Sequence, residues 1–466
     1  MAKLRKVTFV ILAVLVAASA GLWLLARQVL ASDLTRATLE QQLSARLGRP
    51  VHVRAATAVL FPAVAVDLHD VTIGDAPPVR IGRIQVATGL RSLFARTRSD
   101  VSIRSLAFRD IVLGTGGETL TVDLDASLTG DRLDVSTLDA RAGATKIHAR
   151  GALTSLARMH GVFDVTADPL DLAEMISIAS ALAPSSSSHG AATPMHFVLT
   201  VAAPRGQFGA YRFREFTTKL DAVPGRLAFD DLAFQAFGGT FRGRAGADTS
   251  GAAPALRLNG QVTGLDMTQL LAGSGSAGGI TGRLSAALSL QGRGGGAEAL
   301  LRAARGTITA TIADGTLPHL DMVRRVVLAF GKPSGAPAEG AGTAFKTLGG
   351  TFALANGGLA SEDIALASRD LDLHGHGSLR LESGAVDARA DVVLSPELTA
   401  QAGTDLRRYA QQDGRVIVPA TVGGTLADPH VSIDVAAAAR RAAGNELKRR
   451  VTDILGGLFK KKKGGG

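Results

Sequence analysis

A chain of 466 residues that is 46% hydrophobic but only 4% aromatic, with one Trp and two Tyr, lacks the exposed rings on which nucleic-acid stacking platforms and sugar-binding surfaces depend. It has no cysteine, which excludes a disulfide scaffold and thiolate metal sites and is compatible with either redox compartment. Its net charge of +10 suits nucleic acid or anionic lipid headgroups, while a mean hydropathy of +0.20 requires a large core or an apolar lining. The length fits about three domains or one elongated all-β body.

Lys3, Arg5 and Lys6 precede an uncharged apolar segment at residues 7–26. As a helix it extends about 30 Å, enough to span the hydrocarbon core. The positive-inside rule leaves residues 1–6 in the cytoplasm and exports everything that follows. A cleaved signal peptide is the rival, with Ala18-Ser19-Ala20 as its A-x-A site. Leu22-Trp23-Leu24-Leu25 continues the apolar run past that site, which favours a retained anchor.

Ser32-Asp33 can cap a short helix that ends at Gly48. Val64, Val66 and Leu68 then alternate with Ala65, Asp67 and His69, the period-two pattern of a strand. The same test predicts strands at 119–128, where Leu120, Val122, Leu124, Ala126 and Leu128 share a face, at 307–312, and at 371–381. One apolar and one wet face, repeated over many strands, implies antiparallel sheet. Helices are expected at 168–183, where Asp168 precedes Pro169, and at 265–272, 297–304, 320–330, 396–412 and 435–459. Linkers at 183–194, 272–279 and 331–342 are rich in Gly, Ser and Pro. They separate an N-terminal β region (27–183), a middle one (195–330), a C-terminal one (342–434) and a tail (435–466).

No motif points to catalysis. Gly273, Gly275 and Gly278 match the dinucleotide spacing, but the pattern leads from helix into strand, the reverse of what a phosphate cradle needs. Walker A and G-x-S-x-G sequences are missing. His374 and His376 beside Asp372, and the Asp67–Asp70 stretch DLHD, have metal-ligand residue types without an assignable complete set. Asp123/Asp125 and Asp230/Asp231 read as solvated strand residues rather than acid–base pairs. The chain is therefore expected to be no enzyme, with no metal and no cofactor. The tail carries Ile454, Leu455, Leu458 and Phe459 at helical spacing among Lys448, Arg449, Arg450, Lys460 and Lys461. It reads either as a basic amphipathic helix for an anionic membrane or as a solvated terminus.

Three stretches resemble the AsmA-like proteins of Gram-negative envelopes: an N-terminal one made of the apolar segment, LSARLGRPVHV and LFPAVAVDLHDVTIGD, the long run GTAFKTLGGTFALANGGLASEDIALASRDLDLHGHGSLRLESGAVDARADVVL, and VPATVGGTLADPHVSID. Between residues 140 and 260 only the sheet texture is shared. The resemblance implies a protein anchored in the bacterial inner membrane by a single pass, N-terminus in the cytoplasm and body in the periplasm. It implies a mainly β fold with few helices, an elongated, curved antiparallel sheet with an apolar inner face. Phospholipid is the implied ligand, with roles in lipid transport between membranes and outer-membrane homeostasis, and no catalytic residues. The corresponding lining here is Leu354, Leu359, Ile364, Leu366, Leu371, Leu373, Leu379, Leu381, Val386 and Val392. The same alternation also fits a closed sandwich core. An alternative function is an assembly factor that binds outer-membrane or other envelope proteins by strand addition at a sheet edge. Export and low aromatic content argue against nucleic acid.

Overall fold

The computed structural model of the chain describes residues 40–41, 43–45, 50–59, 64–74, 79–88, 102–113, 120–155, 158–175, 195–209, 211–251, 253–273, 279–294, 302–329, 338–401, 411–412, 414–426, 428–434 and 440. The apolar segment 7–26 and tail residues 448–461 lie outside these. Among the described residues no helix is long and apolar enough to cross a membrane. The fold is mainly β with few helices, and its strands are antiparallel with the exceptions given below. The chain divides into two compact units, residues 1–235 with 244–252, and residues 236–243 with 253–466.

In the first unit, β1 (Val51–Val59), β2 (Val64–Ile73), β3 (Val79–Thr88), β4 (Ser102–Leu113), β5 (Leu120–Thr129), β6 (Arg132–Ala142), β7 (Thr145–Ser155) and β8 (His160–Ala167) form a meander. Each strand pairs antiparallel with the next. The short β9 (Leu170–Asp171) and β8 both lie parallel to β10 (His196–Phe208), and β11 (Tyr211–Val223) and β12 (Arg226–Ala236) follow antiparallel. β13 (Gly239–Asp248) has residues in both units. Alternation drives burial: Leu124, Ala126 and Leu128 are buried in β5 while Asp123 and Asp125 are not. Ile73, Ile84, Leu106, Phe108 and Ile111 are fully buried in one core, and each such side chain contributes about 1.5–3 kcal/mol. Helical residues 40–41 and 43–45 lie against β1: Ser44 Oγ accepts from the Val51 N–H (2.9 Å) and Glu40 Oε1 from the Val53 N–H (2.7 Å).

A parallel pair needs a crossover, and the one after β8 begins differently from the sequence expectation. The helix predicted to start at Asp168 starts at residue 172, after the β9 strand. Asp168 is held by Arg205 (3.0 Å). Asp171 is the residue that caps, its Oδ1 accepting from the N–H groups of Ala173 (3.0 Å) and Glu174 (3.1 Å). Hydrogen bonds from the Gln207 amide and then the Glu174 N–H hold the Asp171 carboxyl below the usual carboxylate range. Glu174 accepts from the hydroxyl of fully buried Thr145 (3.0 Å), which docks this turn on β7.

The second unit is a meander of β14 (Ala255–Asp266), β15 (Arg283–Arg293), β16 (Arg305–Leu317), β17 (Thr343–Ala355), β18 (Gly358–Ala367), β19 (Leu371–Arg380) and β20 (Val386–Leu394). It is extended by β21 (Gln411–Gln412), β22 (Arg415–Gly424) and β23 (Pro429–Ile433). Among the described residues it is interrupted by α1 (Met267–Gly273), α2 (Met322–Ala329) and α3 (Pro396–Gln401), and residues 302–303 ahead of β16 are also helical. The helix expected at 265 begins at 267, because β14 runs on to Asp266 and the Asp266 carboxylate caps Thr268 and Gln269. The helix expected to reach 412 does not: residues 411–412 pair with Arg415 and Val416 in a hairpin through Gly414. Antiparallel order puts the helix-bearing connections at one end of the sheet and the turns that include 356–357, 381–385 and 425–426 at the other.

Candidate functional site

The second unit carries its apolar side chains in rows across neighbouring strands. One row runs Ile312, Leu348, Leu366, Leu373, Val392, Val418 from β16 to β22. A second runs Leu354, Leu359, Leu379, Val386. Leu373 and Leu379 are six residues apart on β19, about 20 Å at strand rise. Between the rows the same face of β19 and β20 offers only Gly375, Gly377, Ala388 and Ala390, paired 375 to 390 and 377 to 388. A Cβ added to Gly377 would stand 2.6 Å from the Ala388 Cβ, so the two backbones approach too closely for a side chain. Large residues at the margins and small ones in the middle leave a trough with a cavity volume of about 300 Å³. Ile312, Leu348, Phe352, Leu366, Leu373 and Val422 are among its apolar walls.

The two ends of the trough differ. At the helix-bearing end, α2 sets Met322 and Val326, one turn apart, against Phe345, Leu371, Leu394, Val416 and Val418, all at most 4% exposed. α2 is fixed there by its first residues: the Met322 N–H donates to Thr343 Oγ1 (2.9 Å), and Asp321 accepts from the N–H groups of Gly340 and Gly342. Arg415 pairs with Asp372 (2.9 Å) and donates to the Leu394 carbonyl (2.7 Å), tying β19, β20 and β22 together at this end. Toward the turns the same face is only half-buried at Leu359, Leu379 and Val386.

Six of the ten residues expected to line a groove border this cavity: Leu359, Ile364, Leu366, Leu373, Leu379 and Val386. Leu371 and Val392 sit in the closed core, at 1% and 0% exposure. Leu354 is buried beside the trough, and Leu381 lies beyond the end of β19, 48% exposed. Sequence reasoning missed the Gly/Ala floor and the contributions of Ile312, Leu348 and Phe352. The signals were present as the alternating glycines of LHGHGSL and the alternating alanines of VDARADVVL.

Of the polar candidates only His376 borders the cavity. His374 and His376 are exposed on alternate positions of β19 to the glycine floor. Among the described residues no group of three or more His, Asp and Glu side chains is arranged to hold a metal ion. Asp67 pairs with Arg83 (2.6 Å), Asp70 with Arg54 (2.9 Å) and Asp125 with Arg109 (2.6 Å). Asp123 accepts from the Asp110 N–H (2.8 Å). Asp230 and Asp231 are exposed on β12. A larger hollow of about 680 Å³ in the first unit borders Asp123, Asp139 and His148. There Asp139 is already engaged by His148 Nδ1 (2.8 Å), and its walls are those of a solvated strand face.

Residues 212–364, from β11 into β18, match the AsmA family. Over that span the chain is similar to the AsmA family. The matched span takes in the first half of the trough, β16 to β18, and it reaches back into residues 212–260, where the sequence reading finds only sheet texture. No curated protein and no solved structure matches the chain.

Proposed function

We propose that this AsmA-like protein is a non-enzymatic component of the bacterial cell envelope whose second unit binds the acyl chain of a phospholipid. In this reading residues 7–26 anchor it in the inner membrane and the body works in the periplasm, supporting lipid movement between membranes and outer-membrane homeostasis. The observation that carries the reading is the trough itself: an apolar strip about 20 Å long, floored by Gly and Ala, with half-exposed Leu379 and Val386. A methylene removed from water there contributes about 0.8 kcal/mol, so six contribute about 5 kcal/mol without any directional group. This is why no motif is needed.

Strand addition by an envelope protein is disfavoured at β23. That strand has five residues, begins at Pro429, and has its Val431 carbonyl capped by Arg325 (3.1 Å), all features that blunt an edge. The test of the lipid reading is native mass spectrometry with lipid extraction on the full chain from envelope fractions in mild detergent. Phospholipid should co-purify and be lost when Leu373 and Leu379 become Asp. A lipid-free wild-type protein of equal stability would overturn it.

A further inference from the structure

The trough has a direction. Its helix-bearing end is stoppered by Met322, Val326 and Phe345, each at most 4% exposed. Its other end is bounded by three hairpin turns that are bonded to one another. The Leu381 N–H donates to the Gly357 carbonyl (3.0 Å) and the Leu426 N–H to the Gly384 carbonyl (3.0 Å), while Ala385 and Thr425 form a β-bridge. Asn356-Gly357 turns with both residues at positive φ (51° and 69°), the two-residue geometry that matches strand twist and holds a tip rigid. The β19–β20 turn is closed by its own bonds, Gly384 N–H to the Arg380 carbonyl (2.8 Å) and Arg380 N–H to the Ala385 carbonyl (2.9 Å).

Hairpin tips in water ordinarily carry polar side chains. These present Leu381 and Leu426, 48% and 45% exposed. Leu426 also borders the cavity, together with Leu379 and Val386, so exposed and half-buried apolar surface are continuous from the tips inward. The tips cost solvation where they stand, while the closed core around Met322 and Phe345 lies at the opposite end.

We infer that this hairpin-tip rim is the loading mouth of the second unit: it rests on a phospholipid surface through Leu381 and Leu426 and admits an acyl chain methyl end first, toward Met322 and Phe345. The inference rests on the lipid reading above and adds to it where lipid enters and which way round it lies. A chain in this pose leaves its ester and headgroup at the rim, in water, because the described residues that close the other end, Met322, Val326 and Phe345 among them, are apolar and buried.

The test uses the full chain reconstituted in vesicles of phosphatidylethanolamine and phosphatidylglycerol. These are doped with a phosphatidylcholine that carries a photoreactive diazirine either at the acyl terminus or beside the glycerol ester. Adducts are mapped by peptide mass spectrometry after irradiation. The terminal diazirine should label Leu348, Leu366 and Leu373, and the ester-proximal one Leu379, Val386 and Leu426. Identical or reversed maps within the trough would overturn the direction while leaving the lipid reading intact. Absence of adducts anywhere in the trough would overturn both. A second variant, Leu381→Asp with Leu426→Asp, changes only exposed positions. It should cut the deep adducts roughly tenfold, equivalent to about 1.4 kcal/mol, with unchanged thermal unfolding. Undiminished deep labelling in that variant would show that the rim is not the mouth.

Discussion

Leu371 and Leu379 lie on the same face of the same strand, and truncating each to alanine separates a closed core from an open trough. Leu371 is 1% exposed and enclosed by the core around Met322 and Val326. Its truncation removes buried carbons and leaves a cavity that surrounding strands cannot fill, so a loss of about 2.7–5 kcal/mol is expected. Leu379 is half-buried over a glycine floor and borders space that already exists. Its truncation leaves no new cavity. The transfer contribution of three carbons at about 0.8 kcal/mol each, halved for partial exposure, comes to about 1 kcal/mol. Hydrogen exchange read by mass spectrometry on peptides from β19 and β20 gives the local opening free energy of both variants without assuming that the whole chain unfolds in one step. Equal losses at the two positions would refute the reasoning, because they would mean that the apolar face is covered along its full length.

Gly377→Val should destabilise β19–β20 by about 1–3 kcal/mol, since its Cβ meets Ala388 and overpacked sites relax poorly. Adding Ala388→Gly should restore part of that loss in a double-mutant cycle of exchange measurements, whereas additive losses would place the strain elsewhere. The Asp363 carboxyl is held below its ordinary range, first by the Thr351 N–H (2.6 Å) and then by the Ser361 hydroxyl (2.9 Å). A carboxylate depressed in the folded state contributes its full stabilisation above the unfolded pKa and loses it as pH falls through the folded one. Asp363→Asn should therefore weaken protection of β17 and β18 at neutral pH, and the difference from wild type should shrink as pH falls below about 4. A difference that persisted undiminished in acid would rule the mechanism out.

Much of the β framework was legible residue by residue. The period-two pattern at 119–128 becomes β5 at Leu120–Thr129, and that at 371–381 becomes β19 at Leu371–Arg380. Helix starts were less legible because capping depends on which carboxylate is free. Asp168 looks like a helix start before Pro169, but Arg205, 37 residues away, engages it and leaves the role to Asp171. The hairpin at 411–416 did carry a local signal, the Asp413-Gly414 pair favoured in two-residue turns, but two glutamines have no strong strand preference until β22 is there to pair with them.

The sequence alone determined the faces. Successive Cβ atoms point to opposite sides of a strand, so Leu371, Leu373 and Leu379 had to share a side with Gly375 and Gly377. It could not determine what covers that side. Met322 and Val326 close one end, and Val431 joins the same core from about a hundred residues further on. Nothing in the alternation of β19 distinguishes Leu371, which they cover, from Leu379, which they do not. Tertiary structure made that choice, because burial belongs to the pairing of distant segments while alternation is a property of one strand.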